Sequence, residues 1–465
     1  MEQALQKKNI TDILNTEYKA YARYSVESRA IPHFADGLKP VQRKALAAGI
    51  RFCENRTINV SALAGKVKGD FDYHHGDSSC QGAIVVMAQD FQQAMPYFDR
   101  IGQFGFLYDK TPGAARYISV KLSGWSKLVL KDDAELKYNL HEDTGEQIEP
   151  KYYLPILPML LINGTDGIAV GYSTSFVNRN PLEVALAVRE YLATGKLPEY
   201  HLTPFVHGHT GLWSFWNGQF EHCAPWHRKN STVLSIDGLP MNTTLEKYRG
   251  YLNELVDQGQ IKNWYDLSSK GKTVFEVHMS SSYLDQLVAE NGIAGMFRLI
   301  YRLPQDNLTC VMPNNAIKRF DTPCQVIREF VDFRLKTYFK RKQRLIRDIE
   351  HRLAYLRSLV RFIDLVNDGT ITFKGRTKRD LEAQLAELQI DKAVLNVQVY
   401  NLSEDNKQKH LNEIAKLTKD LQNIQNTTEQ QMYINDIDEV LVHIKKYYVI
   451  EPVLNLKQED LRRIA

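Results

Sequence analysis

No stretch of this sequence has the form G-x-x-x-x-G-K-[ST], so the chain carries no phosphate-cradling nucleotide loop of that type. Cysteine is scarce: the five thiols, Cys53, Cys80, Cys223, Cys310 and Cys324, form no C-x-x-C pair. That pattern excludes a disulfide-stapled or zinc-ribbon scaffold and points to reduced thiols in a cytoplasmic protein. Long apolar runs are missing and Met1 to Asn9 is polar, so neither export nor a membrane span is expected. Charge of one sign is not in excess either, the formal net charge being +4. Any nucleic-acid site has to come from local clustering of cations. What is present is globular: 43% hydrophobic and 25% charged over 465 residues. That length suits roughly two to four domains.

The stretch that organises the reading runs from Gly113 to Ser123. Pro112-Gly113 marks a turn, and Ile118, Val120 and Leu122 share one parity. A strand of period two turns them to a core and sends Tyr117 outward with Ser119 and Lys121. Arg116 beside an outward Tyr117 is a pair suited to cleaving a phosphodiester. A phenolate is a competent nucleophile at phosphorus, and a permanently charged guanidinium offsets the charge of the transition state. The dipeptide is common, so its weight depends on the rest of the chain.

Upstream, Asp12 to Arg29 reads as a helix, and Asp36-Gly37 as a turn. Pro40 fits the first turn of a following helix, where no amide hydrogen is needed. Arg29, Lys39, Arg43 and Lys44 place four cations in sixteen residues, either a phosphate-tracking surface or a solvated face. Val60 to Val67 is a short helix, and Asp77 or Ser78 is placed to cap the next, which runs through Ala83, Ile84, Met87 and Phe91. Short helices followed by strands fit a winged helix-turn-helix. His74-His75-Gly76-Asp77 admits a metal reading, against which stand the rarity of adjacent histidines pointing at one ion and the lack of a helical i, i+4 ligand pair, so no metal is expected here. Ile101-Gly-Gln-Phe-Gly105 is a glycine-spaced aromatic loop. Tyr153 to Gly171 is a buried run, a Gly-rich turn and a second apolar piece, in which Ile168 reads as ordinary core.

Arg29–Lys44, Tyr73–Ser78, Ile101–Gly105, Ala115–Tyr117 and Tyr153–Gly171 occur in the order and spacing found in type IIA DNA topoisomerases. The chain resembles their breakage-reunion part, most closely the T-even-type phage medium subunits. It is also similar to the A-type subunits of DNA gyrase and topoisomerase IV and to the C-terminal half of eukaryotic topoisomerase II. The resemblance implies that Tyr117 is the nucleophile forming a 5′-phosphotyrosyl bond and that Arg116 stabilises the pentacoordinate phosphorus. It implies that Arg29 and His75 line the scissile phosphate and that Lys39 and Arg43 contact the DNA backbone. Lys44 and Ser78 join that DNA-binding set, as does Asn163. Ile168 matches an isoleucine that wedges between base steps and bends the duplex. Gln42 stands where bacterial forms have a histidine, so no role passes to it.

From Pro181 the likeness is mainly architectural. Thr232–Ile236 and Thr273–Val277 read as strands of a tower domain, in which Trp213, Trp216, Trp226 and Trp264 pack rather than stack on bases. A long helix runs from Ile327 to about Val366, with Leu335, Phe339, Ile346, Ile349, Leu353, Leu356, Val360 and Ile363 in heptad spacing. Seven cations load its first half: Arg334, Lys336, Lys340, Arg341, Lys342, Arg344 and Arg347. A helical knob over about Lys378–Tyr400 follows. Leu411, Ile414, Leu417, Leu421 and Ile424 make a returning heptad.

The expected fold is α+β and multidomain. It comprises a winged-helix DNA-cleavage domain over residues 1–150 and an α/β tower over 151–325. A coiled-coil arm over 326–465 carries a helical C-gate near 368–408. The expected function is cleavage and religation of DNA in an ATP-dependent type II topoisomerase, with double-stranded DNA as substrate. A partner subunit would bring the ATP site and the Toprim domain that holds Mg²⁺, in a heterotetramer built on a homodimer of this chain, without a membrane. The alternative is a dimeric winged-helix DNA-binding protein without catalysis.

Overall fold

In the computed structural model the described residues are 9–131, 134–269, 271–373, 375–397, 404–450 and 453–454. They fall into two units, one within Met1–Val331 plus Ile437–Ala465 and one within Asp332–Asp436. Among the described residues no helix is long and apolar enough to cross a membrane. The structure is mixed α and β, as the residue patterns imply.

The first unit opens with a helical stretch in which α-helix alternates with π-helix, at Leu14–Tyr18 and again at Val26–Ala30. After the Asp36-Gly37 turn, the Pro40–Cys53 helix starts with proline at its first position, where the missing N–H costs nothing. The Gln42 side chain accepts a hydrogen bond from the Lys39 amide at 2.9 Å, closing the first turn. Gln42 thus has a local structural task. Asn59 caps the Val60–Asp70 helix by accepting from the Ser61 amide. Gly76, not Asp77 or Ser78, is the cap of the Asp77–Ala88 helix; both polar residues lie inside its first turn, and the helix ends before Phe91.

A three-stranded antiparallel sheet closes this region. Its central strand, Ser119–Leu122, pairs with Ile58–Asn59 on one side and Phe98–Ile101 on the other. The strand begins two residues after Tyr117, and its parity is the expected one: Ile118, Val120 and Leu122 are buried. Thr165–Ile168 and Ser173–Phe176 form a two-stranded hairpin. Ile168 is 88% exposed on it, so it is not core. Burying Thr165–Phe176 would require both faces to be apolar, and this strand pair alternates with polar Thr and Ser.

Two four-stranded sheets follow. Val233–Ile236 and Phe275–His278 are antiparallel neighbours in one, with Leu234, Ile236, Phe275 and Val277 fully buried. In the other, Leu212–Trp216 pairs antiparallel with Gln219–Cys223 and parallel with Val453–Leu454. Trp213 is buried and Trp264 donates its indole N–H to Asn253, whereas Trp216 is exposed.

The second unit is built on most of the Pro323–Asn367 helix, the Glu404–Asn426 helix and the first half of Glu429–Ile444. Ion pairs link them at Arg341–Asp436, Arg352–Glu413 and Asp364–Lys407, so the partner number falls as the first rises and the helices run antiparallel. The apolar seam departs from the heptad reading at its start. Phe339 is exposed and Leu335 half-buried, while Arg334 and Tyr338 are fully buried. Tyr338 stacks on Tyr433 at 4.5 Å, and the Arg334 guanidinium lies 5.1 Å from the Tyr338 ring centre. Stacked aromatics with a cation over them fill the seam one position away from the leucine register. Further along, Leu353, Leu356 and Ile363 are buried as expected. The Lys378–Glu387 helix packs Leu381 and Leu385 against Leu359, Phe362 and Ile363. The Tyr400 end of the expected knob lies outside the described residues.

Candidate functional site

Asp36 is the hub of the site and is 1% exposed. Its carboxylate accepts from Arg43 Nε at 2.8 Å and Nη2 at 3.1 Å. It also accepts from the amides of Leu38 and Tyr153, both at 3.0 Å. Fork-to-carboxylate geometry of this kind is the strong form of an ion pair. Burial opposes the Arg43 charge, but Asp36 outweighs it and holds the guanidinium protonated above its usual range. Arg43 Nη2 also donates to the Leu38 carbonyl at 3.0 Å. The guanidinium is thus held by the fold, and it lines the cleft that opens beside the hub. His33, next to this hub, is buried and stacks on Tyr152 at 4.6 Å. Desolvation, with Asp36 opposing and Arg43 adding, lowers its pKa to about 4.

Beside the hub opens a cleft of about 1000 Å³ whose wall includes Tyr24, Arg29, Lys39, Lys44, His75 and Asn163. Arg29 is exposed at the end of the second π segment. His75 Nε2 lies 2.7 Å from the Tyr24 hydroxyl, and its ring meets Tyr73 edge-on at 5.4 Å. No sequence motif marks Tyr24; only the fold brings its helix to the His75 loop. Lys39 Nζ donates to the Asp166 carbonyl at 2.6 Å, and partial burial, offset by Asp166, lowers its pKa. Lys44 Nζ donates to the Phe71 carbonyl at 2.5 Å and to Glu149 at 3.1 Å. Asn163 is buried and spent on Met95, accepting its amide at 2.8 Å and donating to its carbonyl at 2.9 Å. Two of the four clustered cations, Arg43 and Lys44, are thus engaged by acidic side chains.

Arg116, Tyr117, Ser78 and Ile168 are not part of that wall. Tyr117 is 77% exposed on the loop leading into the central strand. The loop is pinned on both sides of the tyrosine: Ser61 donates to the Ala115 carbonyl at 3.2 Å and Val60 to the Ile118 carbonyl at 3.0 Å. Asn59 Nδ2 donates to the Arg116 carbonyl at 2.5 Å. Asn59 therefore caps a helix and holds the Arg116 backbone at once, a role that its position before Val60 hinted at. The Arg116 guanidinium sits 5.1 Å from the Tyr117 ring centre. Ser78 is exposed in the first turn of its helix.

Gly167 has no room for a side chain, because a Cβ there would sit 2.1 Å from the Ala30 carbonyl oxygen. The Ile168 hairpin thus packs backbone to backbone on the segment that carries Arg29. Among the described residues one trio of metal-type ligands converges: Asp72, His74 and Glu142, with ligand atoms within 4.8 Å of one another. A nitrogen with two carboxylates does not suit Mg²⁺, which favours an octahedron of oxygens. These residues therefore do not fit Mg²⁺, the ion that the resemblance implies.

The family model for the A-type subunit of DNA gyrase/topoisomerase IV matches residues 29–439. The chain belongs to this family. Among curated relatives, the DNA topoisomerase medium subunit of Enterobacteria phage T4 is 30% identical, over 94% of this chain and 99% of that protein. The mitochondrial DNA topoisomerase 2 of Dictyostelium discoideum is 27% identical over 96% of this chain. DNA topoisomerase 2 of Plasmodium falciparum is 32% identical over 79% of it. The chain spans only 36% and 27% of those two eukaryotic proteins. A solved structure, the Plasmodium falciparum topoisomerase II DNA-binding, cleavage and re-ligation domain, superposes with a TM-score of 0.84 at 26% identity. That match covers 94% of this chain and 64% of the other. The family member thus shares with its relatives the whole span from Arg29 to the second long helix.

Proposed function

We propose that this chain cleaves and religates duplex DNA as the breakage-reunion subunit of a type II topoisomerase. The Tyr117 oxygen attacks a backbone phosphorus, forming a P–O(Tyr) bond as the P–O3′ bond breaks. The phenolic proton leaves for solvent, and the departing 3′ oxygen is protonated. Religation is the reverse: the 3′ hydroxyl attacks, and the phenol is released. Since one P–O bond replaces another, the energy for resealing is kept in the linkage. Arg116 neutralises charge that grows on the phosphate oxygens. Arg29 and His75 line the scissile phosphate, with Tyr24 orienting the imidazole. Lys39 and Ser78 contact the backbone, and Ile168 wedges into the duplex. Arg43, Lys44 and Asn163 serve the same surface indirectly, by building its wall.

In this reading residues 1–150 form a winged-helix cleavage domain and 151–325 a tower. Residues 326–465 form a coiled-coil arm whose knob is the C-gate of a homodimer, which gives the two Tyr117 that a double-strand break requires. Mg²⁺ and ATP belong to a partner subunit carrying Toprim and ATPase domains, and the holoenzyme works in the cytoplasm, that of the host if the chain is phage-encoded. The T4 medium subunit, matched over 99% of its length and 94% of this chain, supports this division of labour.

The observation that carries the proposal is an exposed phenol on a backbone pinned at Ala115, Arg116 and Ile118, with a guanidinium at its ring. The test is supercoiled plasmid cut in the presence of Mg²⁺ together with the partner subunit, quenched with detergent and digested with protease. The DNA-linked peptide should contain Tyr117, and Tyr117→Phe should leave no linked DNA while binding duplex normally. Linked DNA from that variant would move the nucleophile elsewhere. Binding without any linkage, in wild type as well, would make the chain the non-catalytic DNA-binding protein.

A further inference from the structure

The seven cations at the start of the long helix, Arg334 to Arg347, have no acidic residue among them. The fold sorts them into two sets. Arg334 is buried against Tyr338 and Tyr433. Arg341 pairs with Asp436, Lys342 with Glu429 and Arg344 with Asp348. Lys336, Lys340 and Arg347 are exposed and make no ion pair among the described residues.

These three are spaced i, i+4 and i+11, which at 3.6 residues per turn places them within about 40° on one stripe of the helix. Lys336 to Arg347 covers about 17 Å at 1.5 Å per residue, the length of roughly five phosphates along one strand of duplex. The exposed residue between the last two is Gln343, which repels no anion. The returning helix offers a contrast: Lys409, Lys416 and Lys419 are also exposed, but Glu413 stands among them. Between Lys336 and Arg347 the stripe holds no acid, the exposed Asp332 and Glu350 lying just beyond its ends, while the cations beside it are neutralised, a pattern suited to a polyanion.

We propose that Lys336, Lys340 and Arg347 form a second DNA-contacting surface, gripping the phosphate backbone of duplex apart from the Tyr117 loop. The inference rests on DNA being the substrate of this chain. The duplex held there is either the flank of the cleaved segment or the segment that passes through the break, and the two are told apart below.

The test uses the full chain. Duplex affinity is measured by fluorescence anisotropy across a salt series for wild type, K336Q/K340Q/R347Q and the charge-matched control K409Q/K416Q/K419Q. The stripe variant should lower the log–log salt slope by roughly three, about one for each lost phosphate contact, and the control by much less. All six side chains are exposed, so melting temperatures should match wild type and confirm folding. An unchanged slope, or an equal fall in the control, overturns the proposal. Once the partner subunit is present, loss of Tyr117-linked DNA assigns the stripe to the cleaved duplex. Normal linkage with reduced relaxation assigns it to the passing one. The salt slope needs no cleavage, so wild-type enzyme that leaves no linked DNA would sink the Tyr117 reading and leave the stripe standing.

Discussion

Two neighbouring parts of the first unit use the same kinds of residue in opposite ways. Around Asp36, a carboxylate, a guanidinium and backbone amides are buried and saturated with one another. Around Tyr117, the backbone is pinned at Ala115, Arg116 and Ile118 and the side chain is left open, as it is for Ile168 on its hairpin. Cations and polar residues that look equivalent in one motif therefore divide between scaffold and surface. Arg43 and Arg29 sit fourteen positions apart in the same stretch, yet one is 6% exposed and the other faces solvent. The teaching is that a reactive side chain is made useful by immobilising its backbone, and that immobilising uses up polar groups nearby.

Substitutions should break the two regions differently. The largest effect is expected from Asp36→Ala, which strands the Arg43 charge in the interior. Removing one member of a buried pair costs about 3–5 kcal/mol, and chemical denaturation should register it whether or not DNA is present. A variant of wild-type stability would mean that the hub is dispensable.

Acid should attack the same hub. His33 has a folded pKa of about 4 against an ordinary 6.5, so the folded state resists its protonation. The stability it contributes is complete above pH 6.5 and drains away as pH falls toward 4, on the order of 3 kcal/mol at the limit. Denaturation midpoints measured from pH 7.5 to 4 should fall, and His33→Gln should flatten part of that fall. Equal pH profiles for the two proteins would remove His33 from the account.

Asn163→Ala comes next, with about 1–3 kcal/mol expected from leaving the Met95 amide and carbonyl unpaired in a buried place. If it instead weakened DNA binding at unchanged melting temperature, Asn163 would act at the surface after all.

Ile168→Ala should be the mildest in stability, within about 0.5 kcal/mol, because an exposed side chain gives up little burial. Its effect should appear in DNA bending, followed by energy transfer between dyes on the duplex ends. Full bending by the alanine variant would strip Ile168 of the wedge role.

Much of this was legible in residue patterns. The parity of Ile118, Val120 and Leu122 placed Tyr117 outward, and Pro40 marked a helix start, because both depend on local geometry alone. The length of the Pro323–Asn367 helix was also close to the expected one. What could not be read was decided by partners distant in sequence. Lys44 is taken by Glu149, 105 positions away. Asn163 is taken by Met95, 68 positions away. Heptad spacing missed Arg334 and Tyr338 because an aromatic stack with Tyr433 buries a cation where only apolar residues were counted. Tyr24 carried no pattern at all; its hydroxyl matters only because a helix 51 residues upstream ends beside His75.

The close approach of Gly167 to the Ala30 carbonyl has a mechanical meaning. Two backbones touching with no side chain between them cannot slide or breathe independently, so Ile168 on one and Arg29 on the other behave as the two marks of a ruler. Under the DNA-cleaving function proposed above, a duplex laid against both would be measured rather than merely held, with the missing side chain at position 167 setting the scale.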